Sequence, residues 1–398
     1  MPAQGVPSLR THEAAPCDVA VIGAGVIGLS VAWRAAQRGL HVTVLDRGPI
    51  GAGASRAAAG MIAPISEARA TEQRLLALSL ASARAYPEFV AGLRDASGKD
   101  PGYLSCGTLA AARDDDEARA LERELELRHS LALPVRRLRA SEARRLEPAL
   151  APALRLALEV PDDHAIDPRK LTAALARAAT EAGVAVRAGV DVAGVSIGAG
   201  RVDGVRLASG ERVPAERVLV AAGAWSGALE GIPDGARVPV RPVKGQIFRL
   251  HDPAGPGLLT RALRMQGSGY LVPRGDGRYV LGATMEERGF DTTITAGPLF
   301  ELLRDAIELL PGLSELVIDE LSAGLRPGTP DNAPALGAGA IPGLHWATGH
   351  YRHGVLLAPI TAEIVVGALL DEQPDELASA FSPARFASAA ADAAAVRG

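Results

Sequence analysis

Glycines stand in a G-x-G-x-x-G spacing near the start of the chain, at Gly23, Gly25 and Gly28. In this spacing the first glycine permits a tight turn, the second lets a pyrophosphate approach the backbone, and the third lets a helix pack closely on a strand. Free N–H groups at the helix N-terminus can then bind the phosphates. Asp46 ends the next apolar run, where its carboxylate can accept hydrogen bonds from a ribose. The pattern predicts a dinucleotide site and does not distinguish NAD from FAD.

Arg326 is a second residue whose type could take part in binding or catalysis. It lies between small residues in the segment AGLRPGTPDNAPALG, residues 323–337. A guanidinium can hold a carboxylate through two parallel charge-assisted hydrogen bonds, which fix its position and its orientation. Taken alone, however, the segment favours an arginine on a surface turn. Tyr270 and Met285, taken alone, are typical of core residues on a hairpin. The segment HYRHGVL at residues 350–356, taken alone, is typical of a solvent-facing loop.

The elements that must position these residues follow from hydrophobic periodicity. Apolar runs at residues 19–22 and 41–45 are typical of strands, and a helical pattern between them predicts a β-α-β unit. Asp167 directly precedes Pro168 and is a predicted helix N-cap. The other predicted elements are helices at 71–93, 114–130, 300–310 and 355–370, a β-meander at 184–220, and strands of a second, antiparallel sheet at 239–250, 270–273 and 279–283.

Composition limits the partners of the protein. Of its 398 residues 48% are hydrophobic and 22% charged, as in a soluble globular protein, and the net charge of −4 offers no basic surface for nucleic acid. No uninterrupted apolar run reaches the ~18 residues of a membrane span, and residues 1–16 lack the apolar core of a signal peptide. We therefore expect a cytoplasmic protein with neither a membrane nor a nucleic-acid partner. The two cysteines, Cys17 and Cys106, predict no disulfide framework, and no metal site is predicted.

The segment GAGASRAAAGMIAP at residues 51–64 bears on the choice of cofactor. Its small residues let backbone N–H groups approach an extended ligand, whereas a nicotinamide enzyme more often continues its β-α-β alternation. The motif SxxAAGMIAP after the glycine fingerprint closely resembles the FAD-dependent amine oxidases of the D-amino-acid oxidase class, in particular the glycine oxidases. The string GLRPGT around Arg326 is similar to the same family, and matching motifs extend from about Cys17 to Leu370.

The resemblance implies FAD as the cofactor and Arg326 as the residue that binds the substrate carboxylate. It also implies that Tyr270 lies over the substrate side of the flavin, that Met285 lines the cavity and that Arg352 lies near the substrate. The cofactor contacts it implies are Val26 and Ile27 at the pyrophosphate, Asp46 and Arg47 at the adenosine ribose, Val192 at the adenine, Ala54, Ser55, Ala59, Gly60 and Met61 along the flavin, and His350, Tyr351, Arg352, His353, Gly354, Val355 and Leu356 around the isoalloxazine ring.

The predicted fold class is α/β, with a Rossmann-like FAD-binding domain assembled from separated segments and a substrate domain built on a mixed or antiparallel sheet. Ala222 and Gly223 follow a predicted strand, and we expect them near the cofactor because ligands collect at the carboxyl ends of strands. The predicted division is a FAD-binding domain at 17–85, 160–235 and 320–375, a substrate domain at 86–159 and 236–319, a disordered tail at 1–16 and a C-terminal tail at 376–398.

The resemblance further implies oxidation of glycine, and of small amines such as sarcosine or D-alanine, to the imine, with molecular oxygen reduced to hydrogen peroxide. The imine then hydrolyses to glyoxylate and ammonia or supplies the thiazole of thiamine. D-amino-acid dehydrogenase and sarcosine oxidase are the alternatives on the same fold. An NAD-dependent dehydrogenase and a non-catalytic flavin-binding protein are the alternatives of other classes. A homotetramer is implied by the resemblance, and dissociable FAD is expected because neither cysteine lies in the C-terminal flavin loop.

Overall fold

Three β-sheets carry the fold in the computed structural model, which describes residues 17–267 and 269–386. The strands are β1 (Cys17–Ile22), β2 (Val42–Asp46), β3 (Met61–Ile62), β4 (Tyr103–Leu104), β5 (Thr108–Ala112), β6 (Arg136–Arg139), β7 (Leu156–Val160), β8 (His164–Ile166), β9 (Ala185–Ala188), β10 (Val192–Gly198), β11 (Arg201–Leu207), β12 (Arg212–Val220), β13 (Arg241–His251), β14 (Ala262–Met265), β15 (Gly269–Pro273), β16 (Arg278–Gly282), β17 (Val317–Gly328), β18 (Ala335–Ala338) and β19 (Leu344–Thr348).

The α-helices of the described residues are α1 (Val26–Gln37), α2 (Ala54–Ala57), α3 (Gln73–Ser97), α4 (Asp115–Ser130), α5 (Ala140–Leu146), α6 (Pro168–Glu181), α7 (Ala296–Leu309), α8 (Ala358–Leu369) and α9 (Glu376–Ser379). The six longer ones lie close to predicted positions, whereas three short ones, α2, α5 and α9, were not predicted. Side chains that cap the helix N-terminus explain where α4 and α6 begin. Asp114 accepts a hydrogen bond from the Glu117 N–H at 2.9 Å, and Asp167 accepts one from the Arg169 N–H at 2.9 Å. Asp167 is therefore the N-cap that the sequence predicts.

The first sheet has a parallel centre, in which β9, β2, β1, β12 and β19 lie side by side. Val19 and Val21 of β1 are fully buried against the helices on one face of the sheet, and Ala20 and Ile22 are buried on the other face in a cluster with residues of β10 and β11. Helices α1, α3, α6 and α8 pack together on the helical side. This arrangement confirms the predicted α/β class.

The second sheet runs in the order β17-β13-β16-β15-β14-β5-β7-β6 and is antiparallel except between β14 and β5. Its core packs against α7, whose Leu299, Leu302 and Leu309 are buried. The third sheet is small and joins β3, β8 and β4. The mixed sheet expected for the substrate side of the protein is thus present.

One predicted element is wrong in part. The sequence predicts a single β-meander over residues 184–220, but β9 pairs in parallel with β2, with Ala185 opposite Thr43. The chain reaches β9 directly from α6, and such a crossover returns a strand to the parallel sheet. Only β10, β11 and β12 form consecutive antiparallel pairs.

Helix α3 crosses the predicted domain boundary at residue 85. Its Phe89, Val90 and Leu93 lie in the same buried cluster as α1, so the helix is one element packed on the first sheet. We therefore propose that this boundary follows α3, and the rest of the division remains a proposal.

Part of the predicted C-terminal tail packs on the first sheet. Phe381 is buried in its core, its carbonyl accepts a hydrogen bond from the Leu336 N–H at 2.9 Å, and Arg385 pairs with Asp331 at 2.8 Å. Residues 387–398 and the predicted leader at 1–16 lie outside the described residues. Within residues 17–267 and 269–386, no helix combines the length and the apolar character needed to cross a membrane.

Candidate active site

A cavity of about 490 Å³ lies where the parallel strands of the first sheet meet the second sheet. Because β2, β1, β12 and β19 are adjacent and parallel, the loops that follow them open at one edge of the sheet. Most of the predicted site residues line this cavity: Gly23, Gly25, Val26, Ile27, Asp46, Arg47, Ala54, Ser55, Ala59, Gly60, Met61, Val192, Ala222, Gly223, Tyr270, Arg326, His350, Tyr351, Arg352, His353, Gly354, Val355 and Leu356.

Two predicted residues do not line the cavity, Gly28 and Met285. Gly28 lies in α1 directly against the glycine turn, so its place in the structure is one of packing. The Met285 side chain is on the surface, 58% exposed, and its Sδ accepts a hydrogen bond from the Tyr351 hydroxyl at 3.0 Å. Strand β16 ends at Gly282, so strand alternation does not fix where a side chain at position 285 points.

The glycine turn is held by close backbone packing. Gly23 has φ +113°, and a Cβ there would lie 2.4 Å from the Ala221 carbonyl oxygen. A Cβ on Gly28 would lie 1.9 Å from the Gly23 carbonyl oxygen. No larger residue fits these two positions without a backbone shift. The turn therefore brings the start of α1 to the cavity wall, where its N–H groups can bind a phosphate.

The side chains at one end of the cavity suit an adenosine. Asp46 accepts hydrogen bonds from the Ala24 N–H at 2.7 Å and the Gly48 N–H at 2.8 Å, which fix its carboxylate at the wall. The Arg47 guanidinium lies 4.0 Å from the ring centre of Trp225, and that ring stacks on Phe290. Trp225 follows the end of β12, and its contact with Arg47 joins segments that are distant in the chain.

Another part of the cavity wall lets a ligand approach the backbone closely. This part is made of small residues from α2 and the following turn, and a Cβ on Gly60, which has φ +81°, would lie 2.0 Å from the Ile166 carbonyl oxygen. On the opposite loop, the Arg352 Nε and His353 Nδ1 atoms are buried and have no hydrogen-bond partner among the described residues. Polar atoms of this kind require a partner, and an isoalloxazine ring carries suitable ones. The residues present thus fit FAD.

Arg326 lies on β17 and lines the part of the cavity where the resemblance implies that the substrate binds, called the substrate end below. Its Nη1 donates to the Lys244 carbonyl at 3.2 Å and to the Thr284 carbonyl at 3.0 Å. Neutral backbone oxygens therefore hold the guanidinium, and no carboxylate of the described residues forms an ion pair with it. An arginine in this state retains its charge and its remaining N–H donors for a carboxylate ligand.

A polar cluster on the far side of β13 supports those two carbonyls, and the sequence analysis missed it. The buried Lys244 ammonium lies 3.5 Å from Glu286, which also accepts hydrogen bonds from the Gln246 amide at 2.7 Å and the Thr284 hydroxyl at 2.6 Å. Lys244 and Glu286 are also paired through their backbones. The sequence gives no clear signal for this cluster, because β13 also contains Arg241, Gln246 and Arg249 and Lys244 does not stand out among them.

Gly245 makes room for the guanidinium, and its replacement by alanine is expected to raise the KM for the carboxylate substrate about ten-fold with FAD content unchanged. The added Cβ would lie 2.4 Å from Nη1 and 2.6 Å from Cζ of Arg326. These atoms belong to a flexible side chain, so the guanidinium moves and the fold is retained. Steady-state kinetics with flavin quantification test this. Gly297→Ala, which meets no atom within 4 Å, is the control, and an unchanged KM in Gly245→Ala would contradict the assignment.

Tyr270 lies beside Arg326. Burial raises the pKa of its hydroxyl, which therefore stays protonated at neutral pH although the Arg326 charge acts in the opposite direction. A neutral phenol next to a guanidinium is a second donor for a carboxylate. The structure thus brings together Arg326 and Tyr270, as the resemblance implies.

Glu67 also lines the substrate end and was not predicted. Its Oε2 lies 3.3 Å from His353 Nε2 and 4.0 Å from Arg352 Nη2. Burial opposes ionisation, but the hydrogen bond from His353 and the Arg352 charge outweigh it and lower the pKa of Glu67 to about 2. No local motif identifies this residue, because its partners lie on the C-terminal loop.

His350 is neutral and fully buried. Burial, with the nearby His353, lowers its pKa from 6.5 to about 3, and its Nε2 lies 3.0 Å from the Thr361 hydroxyl. A depressed histidine pKa stabilises the fold above pH 6.5, and this contribution is lost as the pH falls from 6.5 toward 3. Between these pH values the histidine is protonated in the unfolded chain and neutral in the folded protein. The free energy of unfolding should therefore fall by about 1.4 kcal/mol for each unit by which the pH falls.

Urea unfolding of the holoprotein at about pH 7.5 and about pH 5 measures this loss, since denaturant midpoints report stability differences. His350→Asn removes the titration, so its stability should change less between the two pH values than that of the wild type. Equal pH dependence in the two proteins would show that another group is responsible.

A comparison with protein families decides the identity of the fold. The family model described as FAD dependent oxidoreductase (DAO) matches residues 18–368. The chain belongs to this family. FAD is therefore its cofactor, and the predicted family and the preference for FAD over NAD are confirmed.

Two relatives and two solved structures show how similar the chain is to known members. The chain is 36% identical over 370 residues to the bifunctional protein ThiO/ThiG of Trichormus variabilis. The alignment covers 93% of this chain and 55% of the relative, so the chain spans about half the length of that protein. A glycine oxidase of Geobacillus kaustophilus is 35% identical over 371 residues, covering 93% of this chain and 96% of the relative. The crystal structure of glycine oxidase from that species superposes with a TM-score of 0.86 over 93% of this chain and 98% of the other. An iminodiacetate oxidase structure from Chelativorans sp. BNC1 gives a TM-score of 0.82 at 32% identity, over 92% and 98% of the two chains.

Proposed function

We propose that this FAD-dependent oxidoreductase oxidises glycine, and small amines such as sarcosine and D-alanine, to the imine while molecular oxygen is reduced to hydrogen peroxide. The observation that carries the proposal is Arg326, a cavity-lining guanidinium held by backbone carbonyls and free to bind a carboxylate. The relatives named glycine oxidase and ThiO/ThiG support glycine as the substrate. Each turnover converts glycine and oxygen to iminoacetate and hydrogen peroxide.

The roles of the side chains follow from their positions. Arg326 binds the substrate carboxylate, and the protonated Tyr270 hydroxyl donates a second hydrogen bond to it. Fixing the carboxylate in this way orients the α-carbon, which is the main requirement for a transfer between two bound groups. Bound FAD would supply the redox chemistry, namely a hydride acceptor for the α-carbon and the route of the electrons to oxygen. The amine must be neutral for this transfer, and the scheme requires no side-chain base.

A substrate panel tests the proposal directly. The purified protein should be yellow, and glycine, sarcosine, D-alanine and D-proline should be added in parallel under anaerobic conditions, with loss of the flavin colour as the readout. We expect glycine and sarcosine to bleach the flavin rapidly and air to restore it with one peroxide per turnover. Bleaching without reoxidation by oxygen would indicate a dehydrogenase, and a preference for sarcosine over glycine a sarcosine oxidase. A flavin that no amine bleaches would refute the proposed activity.

We propose that the imine supplies the thiazole of thiamine, as the relative named ThiO/ThiG suggests. Addition of a thiazole synthase to the reaction should then lower the yield of glyoxylate per peroxide formed. An unchanged yield would mean that the imine is simply hydrolysed. A cytoplasmic location and a homotetramer complete the proposal, and cell fractionation and light scattering test these two points.

A further inference from the structure

The backbone that carries Glu67 is clamped from two sides. Asp163 accepts hydrogen bonds from the N–H groups of Ile65 at 3.0 Å and Ser66 at 2.6 Å. Arg128, which is 1% exposed, donates to the carbonyls of the same two residues at 3.0 Å and 2.6 Å. These groups tie down the two residues before Glu67. The Glu67 carboxylate is therefore held in place at the cavity wall.

The two arginines at the substrate end differ in whether a carboxylate lies beside them. Arg352 has Glu67 at 4.0 Å, and His353 donates to the same carboxylate oxygen at 3.3 Å. Arg326, by contrast, contacts backbone carbonyls. Glu67, Arg326 and Arg352 line the same cavity as Tyr270, so a ligand bound there is exposed to all three charges. Among the residues that the structure describes, a ligand there therefore meets one cation without an anionic partner, Arg326, and a second, Arg352, whose charge is offset by Glu67.

We propose that Glu67 determines substrate specificity by restricting the site to amino acids with a single carboxylate, because it neutralises Arg352 and repels a second anionic group. The inference rests on the proposed function. Without Glu67, the two arginines would form a pair of cations suited to a dicarboxylate. With it, a second carboxylate gains no unpaired cation and meets a fixed negative charge in a poorly solvated cavity.

Iminodiacetate and its monoamide, N-(carbamoylmethyl)glycine, are the probes that isolate this charge. Iminodiacetate carries a carboxymethyl group on the glycine nitrogen, and the monoamide carries the uncharged carbamoylmethyl group there. The two probes therefore have nearly the same shape and differ by one negative charge. The wild-type holoenzyme should favour the monoamide in kcat/KM. Glu67→Gln should lower the ratio of monoamide to iminodiacetate by about ten-fold or more, since like-charge repulsion is removed and Arg352 is released.

Glu72→Gln is the matched control, because it removes the same charge from the same segment outside the cavity, where Glu72 pairs with Arg69 at 3.8 Å. Its ratio should equal that of the wild type. Each ratio compares two ligands on one preparation, so partial loss of folded protein or of FAD cancels. If neither probe is oxidised, their inhibition constants against glycine give the same ratio.

An unchanged ratio in Glu67→Gln would overturn the inference, as would a wild-type enzyme that prefers iminodiacetate. Failure of the proposed function has a different signature, namely that wild-type protein with bound FAD oxidises none of the amines. The charge selection then remains measurable as the dissociation constants of the two probes, obtained from their perturbation of the flavin absorbance. Equal constants for both probes in wild type and Glu67→Gln would again refute it.

Discussion

Replacing Arg326 by alanine is expected to lower kcat/KM for glycine about 30- to 1,000-fold, which corresponds to about 2–4 kcal/mol of transition-state binding. The guanidinium is the charged donor that the structure leaves without a carboxylate partner at the substrate end, and backbone carbonyls of Lys244 and Thr284 hold it there. Its loss removes both the electrostatic attraction for the carboxylate of glycine and the hydrogen bonds that fix the orientation of glycine. We therefore expect kcat to fall as well as KM to rise, because a loosely bound glycine presents its α-carbon in many directions.

Two further variants make this result specific. Arg326→Lys keeps the charge but cannot form two parallel hydrogen bonds, and it should recover only part of the lost activity. Arg278→Ala removes the same charge from β16, which is separated from β17 by β13, where Arg278 is half exposed and pairs with Asp276, and should leave the kinetics unchanged. Flavin content should be equal in all three. A kcat/KM for glycine that does not change in Arg326→Ala would exclude the proposed carboxylate site.

The parts of the site that the sequence predicted are those encoded by local chain geometry. Gly23, Gly28 and Asp46 belong to one β-α-β unit, whose turn works only with glycines, so spacing alone identifies it. The sequence also predicted that strand ends would gather ligands, and Ala222 and Gly223 do line the cavity. Arg326 was ambiguous from its residues alone and was singled out by resemblance to a family.

The parts that the sequence did not predict depend on contacts between distant segments. Glu67 acquires its low pKa from His353 and Arg352, and nothing near position 67 indicates such partners. The Lys244 cluster supports Arg326 only because β13 pairs with β17. The parallel pairing of β9 with β2 likewise follows from the path of the chain through α6, not from the alternation of residues within β9. Periodicity reports which face of an element is buried and does not report its neighbour.

Gly28→Ala should bind FAD at least about ten-fold more weakly than the wild type and lose part of it during purification, because a loss of about 1.4 kcal/mol in binding already lowers affinity ten-fold. The new Cβ would lie 1.9 Å from the Gly23 carbonyl oxygen, where no real Cβ contact occurs. That oxygen belongs to the backbone of the glycine turn, which is also held against Ala221, so it cannot move alone. Overpacking of this kind costs about 1–3 kcal/mol, and here the strain falls on the turn that contacts the pyrophosphate.

The matched control is Gly92→Ala, the same substitution within α3, where a Cβ would meet no atom within 4 Å. It should retain full FAD and be more stable by about 0.5–1 kcal/mol, because alanine replaces glycine inside a helix. Absorbance of the bound flavin and the thermal midpoint measure both effects. Gly28 itself does not line the cavity, so FAD can be lost in Gly28→Ala only through displacement of the turn. A yellow Gly28→Ala protein with full occupancy would mean that the close approach of α1 to this turn does not position the phosphate-binding N–H groups.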